Sequence, residues 1–188
     1  MNLFIDTSNN TLVLILEKDN IVIDNLILTN QTKISDIALE NISHLLKKHN
    51  LSLNKIDKFY ITKGPGSYTG VRVAITIVKT LKTVNDKFRV YTISSLAYQA
   101  GKLDCVSLLD AKGDKYYVGV YSNKKTLVVD QILPKDYLGD FCKAFKNFTI
   151  IKDYHELDFV QNYLDLKDNF ELIENVDNIE PLYIKNFI

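Results

Sequence analysis

The chain has 188 residues, 46% of them hydrophobic, and its 23 basic side chains balance 23 acidic ones. That size and composition suit one good core or two small lobes and exclude wholesale disorder. Zero net charge gives the isolated chain no bulk attraction for a polyanion such as tRNA, so a grip on nucleic acid is expected only through a partner. The longest wholly aliphatic run, Leu12 to Leu16, is far too short to span a bilayer, and no basic-then-apolar leader precedes Asp6. A cytoplasmic address is the expectation.

In chain order, Leu3-Phe4-Ile5 reads as a strand that ends in the polar turn Asp6-Thr7-Ser8-Asn9-Asn10. Strands at Leu12 to Leu16 and Ile21 to Leu28 follow, joined by Lys18-Asp19-Asn20. Asn/Asp turns between consecutive strands predict antiparallel hairpins. Ile34, Ile37, Ala38, Ile42, Leu45 and Leu46 then trace one helical face, with Thr32 or Ser35 as the expected cap. The strand Phe59 to Thr62 leads into Lys63-Gly-Pro-Gly-Ser-Tyr-Thr-Gly-Val-Arg72, and Val71, Ala74, Ile75, Val78 and Leu81 predict a helix after it. A short strand near Val90 to Ile93 and a helix over Ser95 to Lys102 follow.

The order then recurs. Cys105 to Leu109 reads as a strand, Asp110-Ala111-Lys112-Gly113-Asp114 as a turn, Tyr117 to Tyr121 and Leu127 to Ile132 as strands, and Lys135 to Lys146 as a helix. Two runs of strand, Asp-containing turn, strand, strand, helix and strand, starting at Leu3 and at Val106, predict a duplicated α/β protein with mixed sheets. The expected lobes are 1–103 and 104–188, with two unrelated α+β halves as the alternative.

The glycine-rich stretch offers chemistry of two kinds. A turn between a strand and a helix N-terminus suits an anion, because backbone approaches closely and first-turn N–H groups are unpaired. It suits equally well a tight corner with no ligand. Cys105 and Cys142 lie far apart without metal-type spacing, and His44, His49 and His155 form no metal set. No metal is expected.

Leu-Phe-Ile-Asp-Thr-Ser at 3–8, Gly-Pro-Gly-Ser-Tyr-Thr-Gly-Val-Arg at 64–72 and Leu-Leu-Asp-Ala-Lys-Gly-Asp-Lys-Tyr-Tyr-Val-Gly-Val-Tyr at 108–121 together resemble the TsaB (YeaZ) family. The tail Glu-Pro-Leu-Tyr-Ile-Lys-Asn at 180–186 is similar to that family's Pro-x-Tyr-x-Arg ending, with Lys185 in place of the Arg. The resemblance implies duplicated actin-like/sugar-kinase (ASKHA) lobes, the second reduced here, and a part in forming N6-threonylcarbamoyladenosine in tRNAs that read codons beginning with A. It implies a non-catalytic scaffold that forms a heterodimer with a TsaD-like transferase and works with a TsaE-like ATPase. The transferase paralogue carries a metal-binding His pair where this chain reads Ser94-Ser95-Leu96-Ala97-Tyr98-Gln99, so the chain alone is expected to be inactive.

The same resemblance places two sets of site residues. Asp6, Thr7, Ser8, Gly64, Gly66 and Ser67 are candidates for weak ATP or ADP contact at the partner junction, no other cofactor being expected. Ile34, Ile37, Leu39, Ile42 and Leu45 on the first helix, with Tyr68, Thr69, Arg72, Val73 and Ile77 on the second, are the candidate docking face. A homodimer is expected to use that face when the partner is absent. Ile77→Glu is expected to separate the complex and leave the fold intact. The competing function is a nucleotide-binding ATPase or small-molecule kinase of the same superfold, which the glycine-free first turn disfavours.

Overall fold

The structure is a computed structural model that describes residues 1–184. Strands β1 (Asn2–Asp6), β2 (Leu12–Lys18) and β3 (Ile21–Leu28) form a meander, and helix α1 (Ile34–Lys48) returns the chain to β4 (Lys58–Thr62). Helix α2 (Tyr68–Val84), strand β5 (Arg89–Ile93) and helix α3 (Ser95–Ala100) complete the first half. β1 pairs antiparallel with β2 and parallel with β4, and β4 pairs parallel with β5.

Near-continuous apolar runs in β1, β2 and β4 reflect a sheet covered on both faces. Alternation sorts their side chains. Leu3, Ile5, Leu12, Leu14, Leu16, Phe59 and Ile61 join a core with α1 and α2. Phe4, Val13, Ile15 and Tyr60 enter an aromatic core on the other face, where Phe4 stacks on Tyr163 at 5.1 Å. The first sheet is thus the middle layer of the molecule.

The second half repeats this plan with β6 (Cys105–Asp110), β7 (Lys115–Ser122), β8 (Lys125–Pro134), α4 (Lys135–Lys143), β9 (Thr149–Lys152) and α5 (Phe159–Leu166). Its sheet order, β8-β7-β6-β9, reproduces β3-β2-β1-β4 with the same antiparallel and parallel pairings. A last strand, β10 (Glu171–Ile173), pairs antiparallel with β5 at the edge of the first sheet. Val176 and Ile179 beyond it enter the first core, so the C-terminal segment returns to the first half. Lys185, read as standing for the family's Arg, lies outside the described residues.

Some boundaries differ from the sequence reading. Neither Thr32 nor Ser35 caps α1; Lys33 occupies the N-cap without a side-chain bond. α3 ends at Ala100 and α4 at Lys143, short of the expected ends near Lys102 and Lys146. Cys105 is buried, which pushes its thiol up to about 12, and Cys142 is a half-buried free thiol. No helix among the described residues is long and apolar enough to cross a membrane.

α1 is tied to β3 at its C-terminal end. Lys48 Nζ and His49 Nε2 each lie 2.7 Å from Asp24 Oδ2. The bond from Lys48, then that from His49, holds the Asp24 carboxyl down at about 2, against an ordinary 3.8. A depressed carboxylate stabilises the fold fully above its unfolded value and loses that contribution as pH falls through its folded value. Asp24→Asn should therefore lower stability by about 1 kcal/mol at neutral pH, with Lys48 largely solvated. The gap to the parent should close between pH 4 and 2, which urea midpoints across that range would read.

Candidate functional site

The glycine corner and the first turn are packed against each other. Ser67 caps α2, its Oγ accepting from the Gly70 N–H at 3.3 Å. Ser67 N donates to the Ser8 carbonyl at 2.7 Å, while Thr7 Oγ1 donates to the Gly70 carbonyl at 2.6 Å and accepts from Ala74 N at 3.2 Å. A Cβ on Gly66 would stand 2.1 Å from the Ser8 carbonyl oxygen, and one on Gly70 the same distance from that of Thr7. Gly64, at φ +92°, is buried, and its peptide bond to Pro65 is cis.

Asp6, Thr7 and Ser8 are fully buried. Asp6 Oδ1 accepts from Ser8 N (2.8 Å), Ser8 Oγ (2.7 Å) and Thr62 Oγ1 (2.6 Å), and Oδ2 accepts from Tyr154 OH (2.6 Å). Burial, then the Asp6 charge, pushes the Tyr154 hydroxyl well above its ordinary value, so it stays protonated and donates. The expectation that Asp6, Thr7 and Ser8 present groups to a nucleotide is corrected here, because their polar atoms are committed inside the protein. Ser67 and Thr69 do line the open cleft between the halves, of ≈ 1050 Å³. Its charges do not favour phosphate. Asp36, Asp110 and Asp153 face it against Lys33 and Lys112, and Lys112 is paired with Asp110 at 2.9 Å, which holds that carboxyl down.

The candidate docking residues divide in two. Ile34, Ile42, Leu45 and Ile77, all at most 6% exposed, belong to the core, and Ile37 is half-buried against it. Their assignment to a docking surface is corrected: α1 and α2 pack on each other, and the wide stripe of each serves that contact first. A charge at Ile77 would be buried, so Ile77→Glu would compromise the fold itself. Leu39, 61% exposed, is the true outlier on α1. With Ile77 at its floor it borders two shallow apolar hollows along the α1–α2 seam, ≈ 350 and ≈ 250 Å³.

At the upper end of this seam, Arg72 lies 3.7 Å over the Tyr68 ring and 5.5 Å from that of Tyr183. Tyr68 is 62% exposed and Tyr183 47%. Val73 is half-buried and Thr69 exposed beside them. Tyr183 is the Tyr of the Pro-x-Tyr tail, but nothing in that motif says that the returning tail sets it beside α2. Thr76 carries no signal in the sequence. The same holds for Tyr154 and for Asp130, whose carboxylate accepts from Ser94 Oγ and Tyr121 OH and is held up by burial. Among the described residues no group of three His, Cys, Asp or Glu side chains is arranged to hold a metal ion.

The comparisons with known proteins agree with one another. The family model for TsaD, tRNA N6-adenosine threonylcarbamoyltransferase, matches residues 29–148. A Mycoplasma pneumoniae protein described as the uncharacterized MG208 homolog is 32% identical over 98% of this chain and 94% of its own length. The tRNA threonylcarbamoyladenosine biosynthesis protein TsaB of Bacillus subtilis is 33% identical over 77% of this chain and 65% of its own length. The solved structure of YeaZ from Pseudomonas aeruginosa superposes with a TM-score of 0.73 at 17% identity, over 97% of this chain and 99% of that one, which establishes a shared fold. With its glycine corner, its duplicated mixed sheets and these relatives, the chain belongs to the TsaB (YeaZ) family.

Proposed function

We propose that this chain is a non-catalytic subunit that docks a TsaD-like transferase through the α1–α2 seam and supports it in forming N6-threonylcarbamoyladenosine in tRNA. The observation that carries this reading is the strip of exposed Leu39, Tyr68 and Arg72 with half-buried Val73 between them, an aromatic–arginine cluster beside apolar hollows. Such anchors concentrate binding energy at interfaces. The proposed setting is the cytoplasm, with a TsaE-like ATPase joining the complex and a homodimer on the same seam when the partner is absent. ATP or ADP contact, in this reading, is weak and confined to the Ser67–Thr69 end of the cleft.

Leu39→Glu tests the seam. Its charge stays solvated in the free chain, so the melting temperature should not move. Co-purification with the cognate TsaD-like protein should weaken by about 30-fold or more, the loss of one anchor of about 2 kcal/mol. An unchanged complex would reject this surface. Reconstituted tRNA modification should need the chain, and full activity without it would overturn the scaffold reading.

A further inference from the structure

At the end of the first sheet opposite the glycine corner, the parallel strands begin, and the first residues of β4 and β5 are basic. Lys58 opens β4 and Arg89 opens β5, and the two are direct cross-strand neighbours. Lys87 precedes Arg89, and Lys18 closes β2 two strands away, beyond β1. These four cations converge on one polar cleft of ≈ 630 Å³. Strands lie about 4.8 Å apart, so the row from Arg89 to Lys18 extends about 14 Å.

None of the four has a carboxylate within 4.0 Å among the described residues. The acids of the cleft are largely spoken for. Glu17, fully buried, accepts from Lys167 at 2.9 Å and from Asn2 at 2.7 Å. Burial alone would push Glu17 up, but those bonds outweigh it and hold it down, so it stays ionised against Lys167. Asp57 pairs with the Met1 amino group. Of the acids that line the cleft among the described residues, Asp19 alone is left to offset Lys18, Lys58, Lys87 and Arg89. Like charges directly across a strand pair destabilise a sheet. Lys58 beside Arg89 is thus a local cost that a polyanion would relieve.

We infer that this row is a phosphate-backbone contact for RNA, made by a chain whose overall charge is zero. The cleft shares no lining residue with the hollows of the α1–α2 seam. The choice of RNA among polyanions rests on the tRNA role proposed above. A row of unpaired Lys and Arg on strand ends, without base-reading pockets, suits backbone contact and salt-dependent binding.

The test uses the double variant Lys58→Gln/Arg89→Gln, which removes the repulsion and should melt no lower than the parent. Fluorescence anisotropy of a labelled tRNA transcript with the isolated chain, between about 20 and 200 mM salt, should show the variant roughly tenfold weaker at low salt. Its log–log salt slope should be shallower by about 1.4–1.8, the release expected from two lost phosphate contacts. Equal affinity and slope for variant and parent would overturn the inference, as would phosphatidylserine vesicles binding the parent as well as RNA does. Size-exclusion of the variant with the TsaD-like partner separates the two readings. Assembly should be unaffected, and a parent that fails to assemble would sink the docking proposal while the RNA result stands on its own.

Discussion

Gly70→Ala should destabilise the protein by about 3 kcal/mol, although alanine in place of a helical glycine ordinarily gains about 1 kcal/mol. The sign reverses because the new methyl would stand 2.1 Å from the Thr7 carbonyl oxygen. That oxygen is backbone, in a fully buried turn, and the Thr7 hydroxyl is clamped to the first turns of α2 by bonds at 2.6 and 3.2 Å. Neither side can withdraw without breaking these bonds. Gly66→Ala meets the same obstacle in the Ser8 carbonyl, which is held by Ser67 N. For a chain of this size the melting temperature should fall by roughly 6–12 °C in either variant. Gly139→Ala supplies the contrast. It lies inside α4, where an added methyl would meet nothing within 4 Å, so the same substitution should raise stability. A Gly70→Ala variant that melts at or above the parent would show that the corner is not packed this tightly.

How much of this was legible in the sequence depends on how local the cause is. β1 to β5, α1 and α2 were readable because unbroken apolar runs and a 3.6-residue stripe are written within each segment. The repeat was readable from the order of elements, and the sheet orders match it. β9 was legible only as the strand that closes the second run, without bounds, and α5 and β10 were not legible. β9 has four residues with one buried and β10 has three with none, while α5 carries its stripe of Phe159, Tyr163 and Leu166 over only eight residues. The docking seam was half legible. A wide stripe on each helix says that something packs there, but it cannot say that Ile77 faces α1 while Leu39 faces solvent. The basic row was hidden altogether. Its members are scattered from 18 to 89 and gather only because β4 and β5 start, and β2 ends, at one edge of the sheet.

The first turn was legible in its residues and misleading in its role, and Asp6 separates the two. Asp6→Ala should cost about 4 kcal/mol, because it strands a buried backbone N–H and the hydroxyls of Ser8, Thr62 and Tyr154 at once. Tyr154 lies 148 residues away on the loop after β9, so the loss also unties the second half from the first. Tyr154→Phe removes one donor and leaves Asp6 Oδ2 without a partner, at a cost of about 1.5–3 kcal/mol. Asp6→Asn should be the mildest. Its amide at the Oδ2 position donates to the Tyr154 oxygen, whose proton turns to Ser8 Oγ at 3.1 Å, and about 1–2 kcal/mol goes with the charge. Urea unfolding of the three variants should give that order. If Asp6 were instead held for a ligand, Asp6→Ala would melt like the parent and lose only activity. A stable Asp6→Ala variant would therefore return the first turn to the ligand-facing groups. The graded series would make it the internal bolt that fixes the angle of α2, and with it the seam on which the partner is proposed to sit.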